Sequence, residues 1–404
     1  MPNMDDAIYL DNNSTAPIDP RVAEAMRACH LGRPANPASQ HAAGRAARRL
    51  VEQAREQIAA TVGAQTTGMD ADRLVFTSGA TEANNWIVRM LCGEPPGEIV
   101  ISAIEHPSVE DVARQLALRG HQVHRIPVDA NGVLNLSAAE QLISPETKVV
   151  SVMLGNNETG VLQPLAELAA ICRAAGAPLH TDAVQVVGKL PVDFRGLGVD
   201  AMTFNAHKCH GPRGIGALLL RPELKLAPLL AGGFQQGGLR AGTESVALPV
   251  GFARCLAIWS KEGDARAEHL AALRDRLESQ LRAEFAELVV NGGQAERLPQ
   301  TSNVSFPGVD RQALVMALDL AGVACSTGSA CASGSSEPSS VLIAMGCSPA
   351  VLEGSIRLSL GGFTTAAEVD QAVQRICRCV NDLRRQKSER KRAAPPPPRG
   401  AERL

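Results

Sequence analysis

A lysine stands inside the run Thr203-Phe204-Asn205-Ala206-His207-Lys208-Cys209-His210-Gly211-Pro212-Arg213-Gly214-Ile215-Gly216, where an apolar lead-in stops and glycines and a proline follow at once. The chain then re-enters an apolar stretch, Ala217-Leu218-Leu219-Leu220. A lysine at a strand end in such a turn can be kept out of bulk water. That lowers its pKa and lets the amine form a Schiff base with an aldehyde cofactor. One lysine in a turn is by itself an ordinary surface feature. Asp182, at the end of another strand-like run, Ala177 to Thr181, adds an acid at the same kind of position. A third candidate is Ser78-Gly79-Ala80-Thr81-Glu82-Ala83-Asn84-Asn85, which follows the buried-type strand Leu74-Val75-Phe76-Thr77 and opens a helix. Small residues there let a ligand reach the backbone, and the first-turn N–H groups with the Thr81 hydroxyl suit a phosphate. A plain N-cap at Ser78 or Thr81 is the simpler alternative. The absence of G-K-[ST] excludes an ATP-type P-loop.

Cys331 is chemistry of another kind. It lies in Ser326-Thr327-Gly328-Ser329-Ala330-Cys331-Ala332-Ser333-Gly334-Ser335-Ser336-Glu337-Pro338, a run of small residues with neither the neighbours nor the periodicity of a core position. Such a run reads as a mobile, exposed loop carrying a reactive thiol that travels.

The elements that must hold these groups alternate between strand and helix. Glu98 to Ile104 is a strand ending at Glu105-His106-Pro107-Ser108, and Gln122 to Val128 is another. Thr147 to Leu154 ends at Gly155-Asn156-Asn157-Glu158-Thr159-Gly160, and Ala177 to Thr181 leads into Asp182-Ala183-Val184-Gln185. Polar groups thus gather just past the carboxyl ends of successive strands. In an open, mostly parallel α/β sheet that edge is the ligand crevice. The glycine-rich Gly232 to Glu244, with Thr243 near its end, reads as a loop with a second anion-binding turn or as a plain connector; Asn36-Pro37-Ala38-Ser39-Gln40-His41 is a polar turn.

From about residue 264 the pattern changes to a small α/β unit, with strands at Ser302–Phe306 and Ile356–Leu360 and helices at Arg311–Leu320 and Glu368–Arg384. The expected organisation is an N-terminal segment, 1–20, joining the smaller unit, and a large domain, 21–263. A small C-terminal domain, 264–384, then carries the cysteine loop at 326–338, and 385–404 is expected to be a disordered tail. That tail is basic and then proline-rich.

Composition excludes several classes. With 404 residues, a net charge of −2 and only 3% aromatics, the chain offers no large basic or stacking surface for nucleic acid. No apolar run reaches membrane-spanning length, and the acidic start Met1-Pro2-Asn3-Met4-Asp5-Asp6 lacks a signal-peptide core, so a soluble cytoplasmic protein is expected. Ten cysteines are scattered without a C-x-x-C pair, which fits reduced thiols and no structural zinc.

Assembled, these motifs closely resemble those of the cysteine desulfurases, fold-type-I, class V aminotransferase-like enzymes that use pyridoxal 5'-phosphate (PLP). The likeness runs from Ile8 to about Leu383. It rests on the Asp-Asn-Asn opening at Asp11, Ser-Gly-Ala-Thr-Glu, Glu-His, Asn-Asn-Glu-x-Gly, His-x-Asp-Ala-Val-Gln, His-Lys, Arg-x-Gly-Thr, Gly-Ser-Ala-Cys and Arg-Leu-Ser. The long loop around Cys331 resembles the group that serves Fe–S assembly and nitrogen fixation. The resemblance implies a large, mostly parallel seven-stranded-type sheet domain with a smaller α/β C-terminal domain. It implies Lys208 as the residue that binds PLP and moves protons at Cα, Asp182 facing the pyridine nitrogen, and Gln185 donating to the phenolic oxygen with Asn157 on the same side. His106 would stack on the ring and share in catalysis. Ala80, Thr81, Asn205 and His207 would surround the phosphate, joined by Thr243 from the other subunit of a homodimer. Asn205 stands where the family commonly has serine. Arg357, with Asn36, would bind the substrate carboxylate. Cys331 would attack the sulfur of L-cysteine, hold it as a persulfide, release L-alanine and pass the sulfur to an iron–sulfur scaffold or another acceptor protein. No intrinsic metal is implied; Cys331 at most lends a transient ligand to a cluster shared with a scaffold. The tail lacks the C-terminal segment by which the housekeeping enzymes dock their scaffold.

Overall fold

Strands β7 (Ala201–Asn205) and β8 (Gly216–Leu220) are buried at every position. Their near-continuous apolar character is what a sheet covered on both faces demands. The computed structural model describes residues 7–32, 35–328 and 337–393. Before β7 the described chain runs β1 (Ile8–Tyr9), α1 (Pro20–Leu31), α2 (Ala42–Thr61), β2 (Arg73–Thr77), α3 (Ala80–Cys92), β3 (Glu98–Ser102) and α4 (Pro107–Ala117). It continues with β4 (Gln122–Ile126), α5 (Leu136–Leu142), β5 (Thr147–Ser151), α6 (Leu165–Ala175), β6 (Leu179–Asp182) and α7 (Phe194–Leu197).

These strands form a seven-stranded sheet in the order β2-β8-β7-β6-β5-β3-β4. β8 is antiparallel to both β2 and β7, while β7, β6, β5, β3 and β4 pair in parallel. The carboxyl ends of β2, β3, β5, β6 and β7 therefore share one edge. Alternate side chains feed two cores. Val100, Val150, Met202, Phe204 and Leu219 enter one. Ile99, Ile101, Val149, Ala201 and Leu218 enter the other, with Trp86 and Ile87 of α3. One register fixes both faces, so a slip of one residue would exchange the cores and move every edge residue.

After β8 comes α8 (Ala247–Glu284), 38 residues long. Its first half, with Phe252 and Leu256, packs into the first sheet core; its second, with Leu270, Leu273, Leu277 and Leu281, packs into a separate core. That core belongs to β9 (Val289–Val290), β10 (Thr301–Ser305), α9 (Arg311–Leu320), β11 (Val323–Ala324), β12 (Ser355–Ser359) and α12 (Ala366–Ala393), while α10 (Ser340–Ala344) packs with Ile104 in a small separate cluster that Leu352 of α11 (Pro349–Gly354) joins. β10 lies between β9 and β12, antiparallel to both. β1 pairs in parallel with β11, and Asp11 bridges to Ser359, so the start of the chain is tied to this second core.

One expectation is corrected. The tail was expected to be disordered from 385, but α12 runs to Ala393. Apart from Ser388, its added turns are Arg, Gln, Lys, Glu and Ala, all good helix formers, and nothing forbids the helix until the approach to Pro395. Residues 394–404 lie outside the described residues. Among the described residues no helix is long and apolar enough to cross a membrane.

Candidate active site

The shared edge of the sheet opens into a cavity of about 480 Å³. It is lined by Lys208, Asp182, Gln185, His106, Asn157, Asn205 and His207, by Ala80 and Thr81, and by Arg357 from β12. Asn36 and Thr243 do not line it: both are exposed, and Asn36 Oδ1 accepts from Ala38 N at 2.9 Å in its own turn. Cys331 lies outside the described residues.

Lys208 lies in the turn after β7, separated from Asn205 by Ala206 and His207. Its Nζ donates to the carbonyl oxygens of Asn13 and, at 2.7 Å, Ser14. The glycines of the surrounding turn permit close approaches. A Cβ on Gly216, at the start of β8, would come within 2.6–2.9 Å of the Gly79 and Ala80 backbone. The strand after the lysine is thus pressed against the turn that opens α3. Gly79 caps that helix without a side-chain hydrogen bond, which leaves its first-turn N–H groups facing the cavity. His207 and Arg213 stand nearby in the same lining. Burial, then the positive charge of Lys208, pushes the His207 imidazole down to about 4, so it is neutral at physiological pH.

Asp182 ends β6 and is buried. Oδ2 accepts from Asn84 Nδ2 at 2.7 Å, and Oδ1 accepts from Val184 N at 3.0 Å. Asn84 Nδ2 also donates to Ser108 Oγ at 2.9 Å. His106 caps α4, its Nδ1 accepting from Ser108 N at 3.1 Å and lying 2.8 Å from Ser108 Oγ. Ser108 thereby links the ring of His106 to the amide that holds Asp182. Behind them Glu105 Oε1 accepts from Met153 N at 2.9 Å, and burial raises the Glu105 carboxyl to about 8.

Arg357 is 1% exposed and reaches the cavity from the second core. Nη2 donates to Asp11 Oδ1 at 2.7 Å and Ser14 Oγ at 2.8 Å, and Nη1 to Asn157 O at 3.1 Å. Its Nε and the Oδ1 of Asn205 are buried without a partner. Buried donors and acceptors left unmade cost free energy, about 1–3 kcal/mol each.

The lining fits PLP. An uncapped helix start with the side-chain amide of Asn205 suits its phosphate, Lys208 suits its aldehyde, and a buried carboxylate held by two donors suits its pyridinium nitrogen. Fold and site together define a fold-type-I PLP-dependent enzyme.

Comparison with known proteins narrows this. The aminotransferase class-V model matches residues 8–372. A cysteine desulfurase of Cereibacter sphaeroides is 42% identical over 382 residues, covering 93% of this chain and 96% of that protein. A cysteine desulfurase IscS of Rickettsia bellii is 38% identical over 383 residues, with 93% and 92% covered. Among solved structures, a NifS-like protein aligns with a TM-score of 0.86 at 34% identity, over 93% of this chain and all of that one. The chain belongs to the aminotransferase class-V family, among its cysteine desulfurases.

Two residues of the site escaped the sequence reading. Asn13 accepts from Lys208 through its carbonyl while its Nδ2 donates to Asn157 O and Thr301 Oγ1 at 3.1 and 2.8 Å. Asn84 holds Asp182. Both lie inside motifs recognised in the sequence, but a partner across 98 or 195 positions is not readable from spacing.

Proposed function

We propose that this pocket takes sulfur from L-cysteine, releasing L-alanine, and that Cys331 receives the sulfur as a persulfide for delivery to an acceptor protein. The observation that carries the reading is the convergence of Lys208, Asp182 and Arg357 on one cavity. When bound, PLP supplies an electron sink for the substrate Cα. Asp182, held by Asn84 and Val184 N, would face the pyridine nitrogen. Arg357, already held by Asp11 and Ser14, lines the same cavity, where its guanidinium would pair with a substrate carboxylate. Lys208 would hold the cofactor and move the Cα proton. The thiolate of Cys331 would then attack the substrate sulfur. An S–S bond forms as the Cβ–S bond breaks; the electron pair stays on carbon, and a proton completes alanine.

Support for Cys331 comes from the described ends of its segment. Gly328 lies against Glu158, where a Cβ would approach Oε2 to 2.6 Å, and Ser339 Oγ donates to the same Oε2 at 2.6 Å. Both ends therefore meet one residue away from Asn157 of the cavity. Cys325, before the segment, is a poor alternative, because burial pushes its thiol up to about 12 and keeps it protonated.

A homodimer in the cytoplasm, serving an iron–sulfur scaffold or another sulfur acceptor, completes the reading. Thr243 and Asn36, exposed and away from their own cavity, are suited to completing the site of a second copy.

The direct test is the lysine. Purified protein should be yellow, borohydride should fix the cofactor on Lys208, and Lys208→Ala should cut alanine formation by about 10⁴-fold. A colourless protein that does not take up added PLP would sink the reading.

A further inference from the structure

Lys189 is 8% exposed, yet the charged neighbours that act on it include no carboxylate: Lys208 and Arg357 repel it, and only Cys209 opposes them. Its Nζ donates to Gln185 Oε1 at 2.8 Å. A buried cation held by one neutral amide is costly, and an apolar residue of the same length would be the stable choice. The arrangement therefore calls for a reason outside stability.

The turn after β6 makes it deliberate. Val186 N and Val187 N both donate to Ala183 O at 3.0 Å, and Lys189 N donates to Val186 O at 3.0 Å, which coils the chain so that residues four apart face each other. Gly188, at φ 76°, seats the coil against the residue after Lys208; a Cβ there would lie 2.4 Å from Cys209 Cβ. A lysine ammonium has donors and no acceptor, so the atom it meets must be the carbonyl oxygen of the Gln185 amide. That leaves Gln185 Nε2 on the other side, donating to Asn13 O at 3.0 Å with a second hydrogen free in the cavity.

We propose that Lys189 is a positioning residue that, as an ammonium, orients the Gln185 amide with its NH₂ toward the cofactor, so that a hydrogen bond is ready for the cofactor's phenolic oxygen. Burial, with Lys208 beside it, pulls the Lys189 ammonium down to about 7. The inference rests on the PLP reading of the cavity and on Gln185 facing that oxygen.

The test compares Lys189→Met, Gln185→Ala and the double variant, each loaded with PLP, by the position of the visible absorbance band and the rate of PLP loss. Each single variant should shift the band and release PLP about tenfold faster, the worth of one hydrogen bond. The double variant should be no worse than Gln185→Ala, because Lys189 acts through that amide. Melting temperatures of the cofactor-free proteins form the second readout: Lys189→Met should equal or exceed the native value, since an unpaired buried charge has been removed. An unchanged band, additive losses in the double variant, or a methionine variant that melts early or does not fold would each overturn the proposal. A native protein that takes up no PLP would instead overturn the desulfurase reading, which keeps the two failures distinct.

Discussion

The two walls of the cavity are built differently. On the sheet edge, the chemical groups stand at or just past strand ends and are held by neighbours: Asp182 by Asn84, His106 by Ser108, Gln185 by Lys189. The strands beneath them send alternate side chains into two cores, so none of these groups can shift without disturbing both. The opposite wall belongs to the second core. There β12 delivers Arg357, whose backbone pairs with Ser326 at 2.7 and 3.2 Å, and Gly328 and Ser339, at the ends of the Cys331 segment, reach across to Glu158 in the loop after β5. One wall fixes a cofactor and a proton path in place. The other brings a substrate clamp and a sulfur acceptor to it. Groups that must stay put are locked by packing and hydrogen bonds, whereas the sulfur carrier is attached through its anchors.

Changes on each wall should separate these duties. On the fixed wall, Asp182→Asn keeps the shape but removes the charge, and with one acceptor oxygen it can keep only one of the bonds from Asn84 and Val184 N. Turnover should fall by about 10²–10³-fold while most PLP remains bound; equal losses of PLP and turnover would show that Asp182 serves binding alone. Where the anchoring wall meets the sheet edge, Glu158→Ala deprives Ser339 of its acceptor. Sulfide release should drop by about tenfold or less, while exchange of the substrate Cα proton with solvent stays native. A parallel loss of proton exchange would place Glu158 with the fixed wall. The smallest effect is expected at Cys325, half-buried and protonated. Cys325→Ala should hold sulfide release within about twofold of native, as judged by initial rates.

How much of this was legible in the sequence follows the same division. The sheet edge was readable because each buried strand is a short apolar run that breaks into polar residues where the edge begins, as at Phe204-Asn205 and Thr181-Asp182. The residues that steady those groups were not. Asn84, Asn13 and Lys189 occupy positions where a turn or helix residue would pass unnoticed, and their meaning comes from partners brought near only by the fold. Thr243 and Asn36 were named from resemblance, and on a single chain both stand exposed away from the cavity. The tail was misjudged because its charge drew attention from its helix propensity: Arg385 to Ala393 contains no glycine or proline.

The account turns on where the sulfur goes. Enzyme mixed with L-cysteine in the absence of reductant should be digested and its cysteine peptides weighed, alongside the Cys331→Ala variant. The expected result is one additional sulfur atom on the peptide containing Cys331, alanine formed in matching amount, and neither persulfide nor sulfide from the variant. Undiminished sulfide release by Cys331→Ala, with no added sulfur on any native peptide, would contradict it.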